Sequence, residues 1–146
     1  IYGDQSQGSV LCAGLGLGLV LHALSKNDKV TNIICVEISQ NVIDLMTPNI
    51  RHLPKVTIIK ADFYNFVRQN NNKWDSIIVD LWTTSKITKM KIFYQKVLPF
   101  AFELRAKYPN IPLTFHGFSS ISDIKHTNPQ MTKEVCEMME LLRGLK

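Results

Sequence analysis

A chain of 146 residues, 45% hydrophobic and 20% charged, has the balance of an ordinary soluble globular protein and the length to bury one core. Its formal charge of +5 comes from scattered lysines rather than one dense run, which favours a solvated surface and gives a nucleic-acid partner only weak support. Cys12, Cys35 and Cys136 lie in apolar runs with no CxxC and no Cys/His ligand spacing, a usage that suits a reducing, cytoplasmic compartment.

The longest apolar run, Val10 to Leu24, is broken by Gly14, Gly16 and Gly18 and is too short to span a bilayer. No signal peptide precedes it, and no membrane partner is expected. The chain opens on Ile1 and reaches its glycines almost at once, which suggests a processed or truncated start.

In chain order, Ser9 to Ala13 reads as a first strand, and Leu17 to Leu24 as an apolar helix after the glycines. Asn32 to Ile38 is a second strand, rich enough in Ile and Val to be buried on both faces. Ser39 is a candidate N-cap for a helix through Ile43 and Met46, which Pro48 should disturb. Lys55 to Ala61 predicts a third strand, Phe63 to Gln69 a short helix, and Asn70 to Asn72 a polar turn. Trp74 to Trp82 predicts a fourth strand. Lys89 to Lys107 predicts a long helix on the spacing of Ile92, Phe93, Val97, Phe100, Ala101 and Leu104, kinked or divided at Pro99. Ile111 to Phe118 supplies a fifth strand, and Met131 to Leu145 a helical tail. Strands alternating with helices argue for βαβ units, a parallel sheet and a single α/β domain over residues 1–146.

Open parallel sheets bind ligands outside the carboxyl ends of their strands, so residues 14–18, 37–39, 62–64, 80–85 and 117–120 are the places to look. Gly14, Gly16 and Gly18 lie between a strand and a helix, where a Cβ would clash with a ligand or forbid the positive φ angles required; a tight strand–helix crossover that needs glycine for packing is the plainer alternative. Leu19 stands where a dinucleotide fingerprint wants its last glycine, which turns the reading away from NAD. Glu37, followed by Ile38, ends the second strand roughly twenty residues later, where a carboxylate can accept from both ribose hydroxyls. A capping or salt-bridged Glu is the plainer alternative. Asp62 can accept from an exocyclic amine such as that of adenine, or N-cap the following helix. Asp80 ends the fourth strand, where it can orient an amine nucleophile, take its proton, or hold an ammonium group. Trp82 lies beside it, while Asp75, at the strand's start, reads as structural.

At these residues the chain resembles the class I S-adenosylmethionine (SAM)-dependent methyltransferase fold, and within it the spermidine-synthase-like branch. The stretches VLCAGLGLG, IICVEIS, VTIIKADFYNFV and WDSIIVDLW carry the likeness. The resemblance implies a Rossmann-like three-layer sandwich with a mostly parallel sheet in the order 3-2-1-4-5, shortened at both ends. It also implies that SAM is the cofactor. Gly14, Gly16 and Gly18 would line its methionine and ribose portion, Glu37 and Ile38 its ribose side, Asp62 and Phe63 its adenine, and Asp80 the transferring group. Ala61-Asp62-Phe63 and Leu81-Trp82 depart from the Gly-Asp-Gly and Asp-Pro of spermidine synthases, so polyamine-binding residues find no clear match.

A SAM-dependent methyltransferase of unknown acceptor therefore leads. The alternatives are an aminopropyltransferase, a catalytically silent nucleotide-binding or assembly domain, and an NAD protein. His22, His52, His116 and His126 are far apart without ligand spacing, so no metal site is expected. Lys86, Lys89, Lys91 and Lys96 form a basic patch near the expected active edge, and His116, Ser119 and Ser120 could reach it. A shortened sheet exposes an edge that a homo-oligomer would cover. Replacing Glu37 with Ala is expected to weaken SAM binding while leaving the apo melting temperature nearly unchanged.

Overall fold

The computed structural model describes residues 5–81 and 98–115. In chain order they form β1 (Gly8–Ala13), α1 (Leu19–Ser25), β2 (Val30–Glu37), α2 (Gln40–Ile50), β3 (Val56–Lys60), α3 (Phe63–Gln69), β4 (Ser76–Val79), α4 (Leu98–Lys107) and β5 (Leu113–Phe115). The strands make one sheet in the order β3-β2-β1-β4-β5. β1 runs parallel to both β2 and β4, and β2 to β3. The first strand in the chain thus lies mid-sheet, and the strand order reverses beside it. Contacts divide the described chain into two compact units, residues 5–81 with 111–114, and residues 98–110 with Phe115.

Burial accounts for the apolar runs. β1 buries Val10, Leu11, Cys12 and Ala13 in succession, and β4 buries its whole length. Strand side chains alternate between faces, so an unbroken buried run means both faces are covered. Edge strand β3 buries no residue fully. One face of the sheet packs Val10, Cys12, Ile33 and Cys35 against Leu21 and Leu24 of α1 and Met46 and Ile50 of α2.

The helix starts follow local chemistry. Ser39 caps α2, its hydroxyl accepting from Val42 N at 3.3 Å. Asp62 caps α3, its Oδ1 accepting from Asn65 N at 2.9 Å. Each satisfies a first-turn N–H that has no partner within its helix.

Pro48 does not end α2, which continues through it to Ile50. Proline there forfeits the bond its missing N–H would make to the Asp44 carbonyl and crowds that carbonyl, and α2 ends two residues later. The position is exposed, and the last turn closes through Arg51 N to Thr47 O at 2.9 Å. In α4, Phe100, Ala101 and Leu104 are buried, as their spacing predicts. Pro99 stands in the first turn of that helix. Residues 89–97 of the expected long helix, 116–118 of the fifth strand and the tail helix over 131–145 lie outside the described residues.

The amino edge of the sheet is closed by its own side chains. Asp75 takes the structural role expected of it, with Oδ2 accepting from Ser9 N and its own N donating to Ser9 O, both at 2.8 Å. Asn27 Oδ1 accepts from Lys29 N at 2.9 Å, and Asn27 Nδ2 donates to Ser6 O at 3.0 Å. Lys55 Nζ donates to Asn27 O at 3.3 Å, while its backbone takes the left-handed φ of 70°. The rings of His22 and His52, distant in the chain, come to 6.0 Å. Among the described residues no group of three or more His, Cys, Asp or Glu gathers as metal ligands would, and no helix is long and apolar enough to cross a membrane.

Candidate functional site

Backbone bonds knit the carboxyl edge of the sheet. Gly14 N donates to Val36 O at 2.9 Å, Ala61 N to Glu37 O at 3.1 Å, and Asp80 N to Ala13 O at 2.8 Å. Each donor is the residue just past a strand end, so the ladder runs one step beyond β1, β3 and β4. This brings the glycine loop, Glu37, Asp62 and Asp80 to one edge, beside the reversal of strand order.

The glycines serve different purposes. At Gly14, with φ of 87°, a Cβ would overlap the carbonyl oxygen of Asp80. Of the two reasons the sequence offers for such a glycine, a ligand or a tight crossover, the close neighbour at Gly14 fits the crossover, since it is the protein's own backbone. At Gly16, with φ of 50°, a Cβ would meet nothing within 4 Å. Its backbone therefore borders open space, which a ligand can approach closely.

Glu37 is the hub. Its Oε2 accepts from Leu15 N at 2.9 Å and its Oε1 from Ser39 N at 2.8 Å. It thus ties the glycine loop to the turn between β2 and α2, a role that neither capping nor salt bridging anticipates. A carboxylate offers about four acceptor positions, so those two bonds leave capacity for hydroxyls. Glu37→Ala removes both of these bonds as well as the carboxylate.

The remaining candidates differ in what they offer. Ile38 is 65% exposed and presents an apolar surface beside Glu37. Asp62 combines its cap with this edge; among the described residues its Oδ2 takes no hydrogen bond. Phe63 is only 3% exposed, its ring edge-on to Tyr64 with centroids 6.5 Å apart. That ring is packed within the protein. Burial raises the pKa of Tyr64, with Asp62 adding to the effect and Arg68 opposing it. Asp80 is half-buried, next to the glycine loop. Trp82, residues 83–85, the lysines at 86, 89, 91 and 96, and His116, Ser119 and Ser120 lie outside the described residues.

Three participants are not apparent from sequence: the N–H groups of Leu15 and Ser39, and Cys35, whose thiol donates to Gly14 O at 3.6 Å. Period-two alternation was the available signal for Cys35, since it places residues 35 and 37 on one side of β2. Burial pushes the Cys35 thiol up to about 12, with Glu37 adding to it. Cys12, its partner in register on β1, is also raised, first by burial and then by Cys35.

The spermine/spermidine synthase domain matches residues 3–102. The polyamine aminopropyltransferase of Sulfurisphaera tokodaii is 26% identical over 94 residues, covering 60% of this chain and 31% of that protein. Among solved structures, spermidine synthase from Thermotoga maritima is similar at 26% identity and a TM-score of 0.46, over 57% of this chain and 31% of that one. A spermidine synthase in complex with the transition-state analogue AdoDATO is similar at 27% identity and a TM-score of 0.45, over 54% of this chain and 29% of that one. The chain therefore spans 31% or less of the length of each.

Proposed function

The chain belongs to the spermine/spermidine synthase domain family, in the spermidine-synthase-like branch of the class I methyltransferase-like fold, and on that premise we propose that residues 8–81 bind the nucleoside of decarboxylated SAM for aminopropyl transfer to an amine. The family moves the reading from methyl transfer, which the sequence puts first, to the alternative it holds beside it. The observation that carries the proposal is Glu37, braced by Leu15 N and Ser39 N at the strand-order reversal with acceptor capacity in hand.

In this reading Glu37 accepts from the ribose hydroxyls. Its orientation is set in advance by two charge-assisted bonds, so binding does not have to order it. The backbone at Gly16 lines the ribose and the chain leading to sulfur. Asp62 accepts from the adenine amine with the oxygen its cap leaves over, and Ile38 lies against the ring or ribose. When bound, the ligand supplies a sulfonium whose adjacent carbon is intrinsically open to attack. Asp80 orients the incoming amine and accepts its proton as the nitrogen–carbon bond forms and the carbon–sulfur pair leaves with sulfur.

Calorimetric titration of the whole chain tests this, using decarboxylated SAM, its thioether nucleoside product, SAM, S-adenosylhomocysteine and NAD. Decarboxylated SAM and its product should bind best, and NAD should not bind. Preference for SAM and S-adenosylhomocysteine would return methyl transfer to the lead. Failure of a folded chain to bind any of them would overturn the nucleoside reading.

A further inference from the structure

We infer that Cys35 is a positioning residue, its thiol acting with Glu37 to fix the plane of the Gly14–Leu15 peptide at the mouth of the glycine loop. The two groups grip opposite ends of one peptide unit. The Cys35 thiol donates to the Gly14 carbonyl at 3.6 Å, and Glu37 Oε2 accepts from the Leu15 N–H at 2.9 Å. Both side chains project from the same side of β2, two residues apart. The preceding Gly14 N–H is held by Val36 O at 2.9 Å, so every polar backbone group from Gly14 N to Leu15 N has a partner on β2.

The peptide needs such a grip. Gly14 lies at a φ of 87°, and glycine has no Cβ to resist rotation of the next peptide plane. A flip would turn the Leu15 N–H away from Glu37, leaving one carboxylate oxygen without its donor and free to turn. The ribose acceptor would lose its preset orientation. Cys35 is fully buried, and burial pushes its thiol up to about 12. It therefore keeps its proton, and stays a donor, through the neutral range. A thiol is a weak donor, so its part is to bias the plane, while Glu37 supplies the stronger bond.

Cys12 provides the control. It sits opposite Cys35 in the β1–β2 register and is 2% exposed, so Cys12→Ala and Cys35→Ala remove equivalent core thiols. Amide hydrogen exchange of Leu15 in the apo protein, followed by calorimetry with decarboxylated SAM, separates them. Cys35→Ala should speed Leu15 exchange and weaken nucleoside binding about three- to fivefold, whereas Cys12→Ala should change neither. Equal Leu15 exchange in the two variants overturns the inference. The affinity half rests on the ligand reading above and the exchange half does not, so the clamp stands or falls on exchange even in a chain that binds no nucleoside. Should Cys35→Ala not fold, the S–H stretching band of a Cys12→Ala/Cys136→Ala protein, where Cys35 is the remaining thiol, decides. A band displaced to lower frequency, as hydrogen bonding requires, supports the clamp, and an undisplaced band overturns it.

Discussion

The two ends of β1 are built from the same parts to opposite effect. At its start, Gly8 takes a positive φ beside Asp75, and the Asp75 carboxylate accepts from Ser9 N. Just past its end, Gly14 takes a positive φ beside Asp80, and the Glu37 carboxylate accepts from Leu15 N. At the amino edge the carboxylate belongs to β4's approach and joins neighbouring strands, closing the edge. At the carboxyl edge it comes from β2 and holds up a loop with open space at Gly16. Glycine and carboxylate alone therefore do not mark a binding site. What distinguishes the two edges is whether the braced backbone leads into a strand or out towards solvent.

The sharpest way to break that comparison is through the glycines. Gly14→Ala meets both the φ penalty and a backbone carbonyl that has nowhere to go, and should cost roughly 4 kcal/mol or abolish folding. Gly8→Ala meets the Asp75 side chain from its carboxylate to its Cβ; the carboxylate can turn away and the Cβ must give slightly, so the cost should be about 2–3 kcal/mol, chiefly strain and the lost Ser9 bond. Gly16→Ala meets only the φ penalty, about 1–2 kcal/mol. Urea unfolding of the three gives the order, and a Gly16 variant as damaged as Gly14 would show that the loop is filled rather than open.

The carboxylates come next. Glu37→Gln must place an amide NH₂ against Leu15 N–H or Ser39 N–H, both donors, so about 2 kcal/mol of stability should go together with at least tenfold in nucleoside affinity. Asp75→Ala should cost about 1 kcal/mol and leave affinity unchanged, because its bonds lie at the closed edge. Paired unfolding and calorimetry would show whether stability and binding separate in this way. The smallest effect has the opposite sign. Lys55→Gly relieves a left-handed lysine, loses a side-chain bond to Asn27 O, and should stabilise the fold by about 0.5 kcal/mol with no effect on ligands. A fall in melting temperature would show that the Asn27–Lys55 bond outweighs the strain.

Local chemistry was readable in the sequence and long-range chemistry was not. Ser39 and Asp62 cap their helices as their residue types require, and the unbroken apolar runs of β1 and β4 are buried strands, while β2 and β3 are only partly buried. Pro48 lies inside α2, because a proline signal alone does not fix where a helix ends. The types of Gly14 and Glu37 are legible, and their particular partners are not. The overlap with Asp80 O and the bond to Leu15 N join residues far apart in the chain, and no spacing rule reports which backbone group will arrive there. Phe63 looked available as a ring next to Asp62, but it sits on the inward side of α3.

The contact between Gly14 and Asp80 has one more implication. The Asp80 carbonyl oxygen occupies the place a Gly14 Cβ would need, and its N–H donates to Ala13 O; both are groups that nearly every amino acid carries. Neither belongs to its carboxylate. The tight fit is therefore one-sided: it fixes the residue type at position 14, while the carbonyl it meets would be there with any residue at position 80.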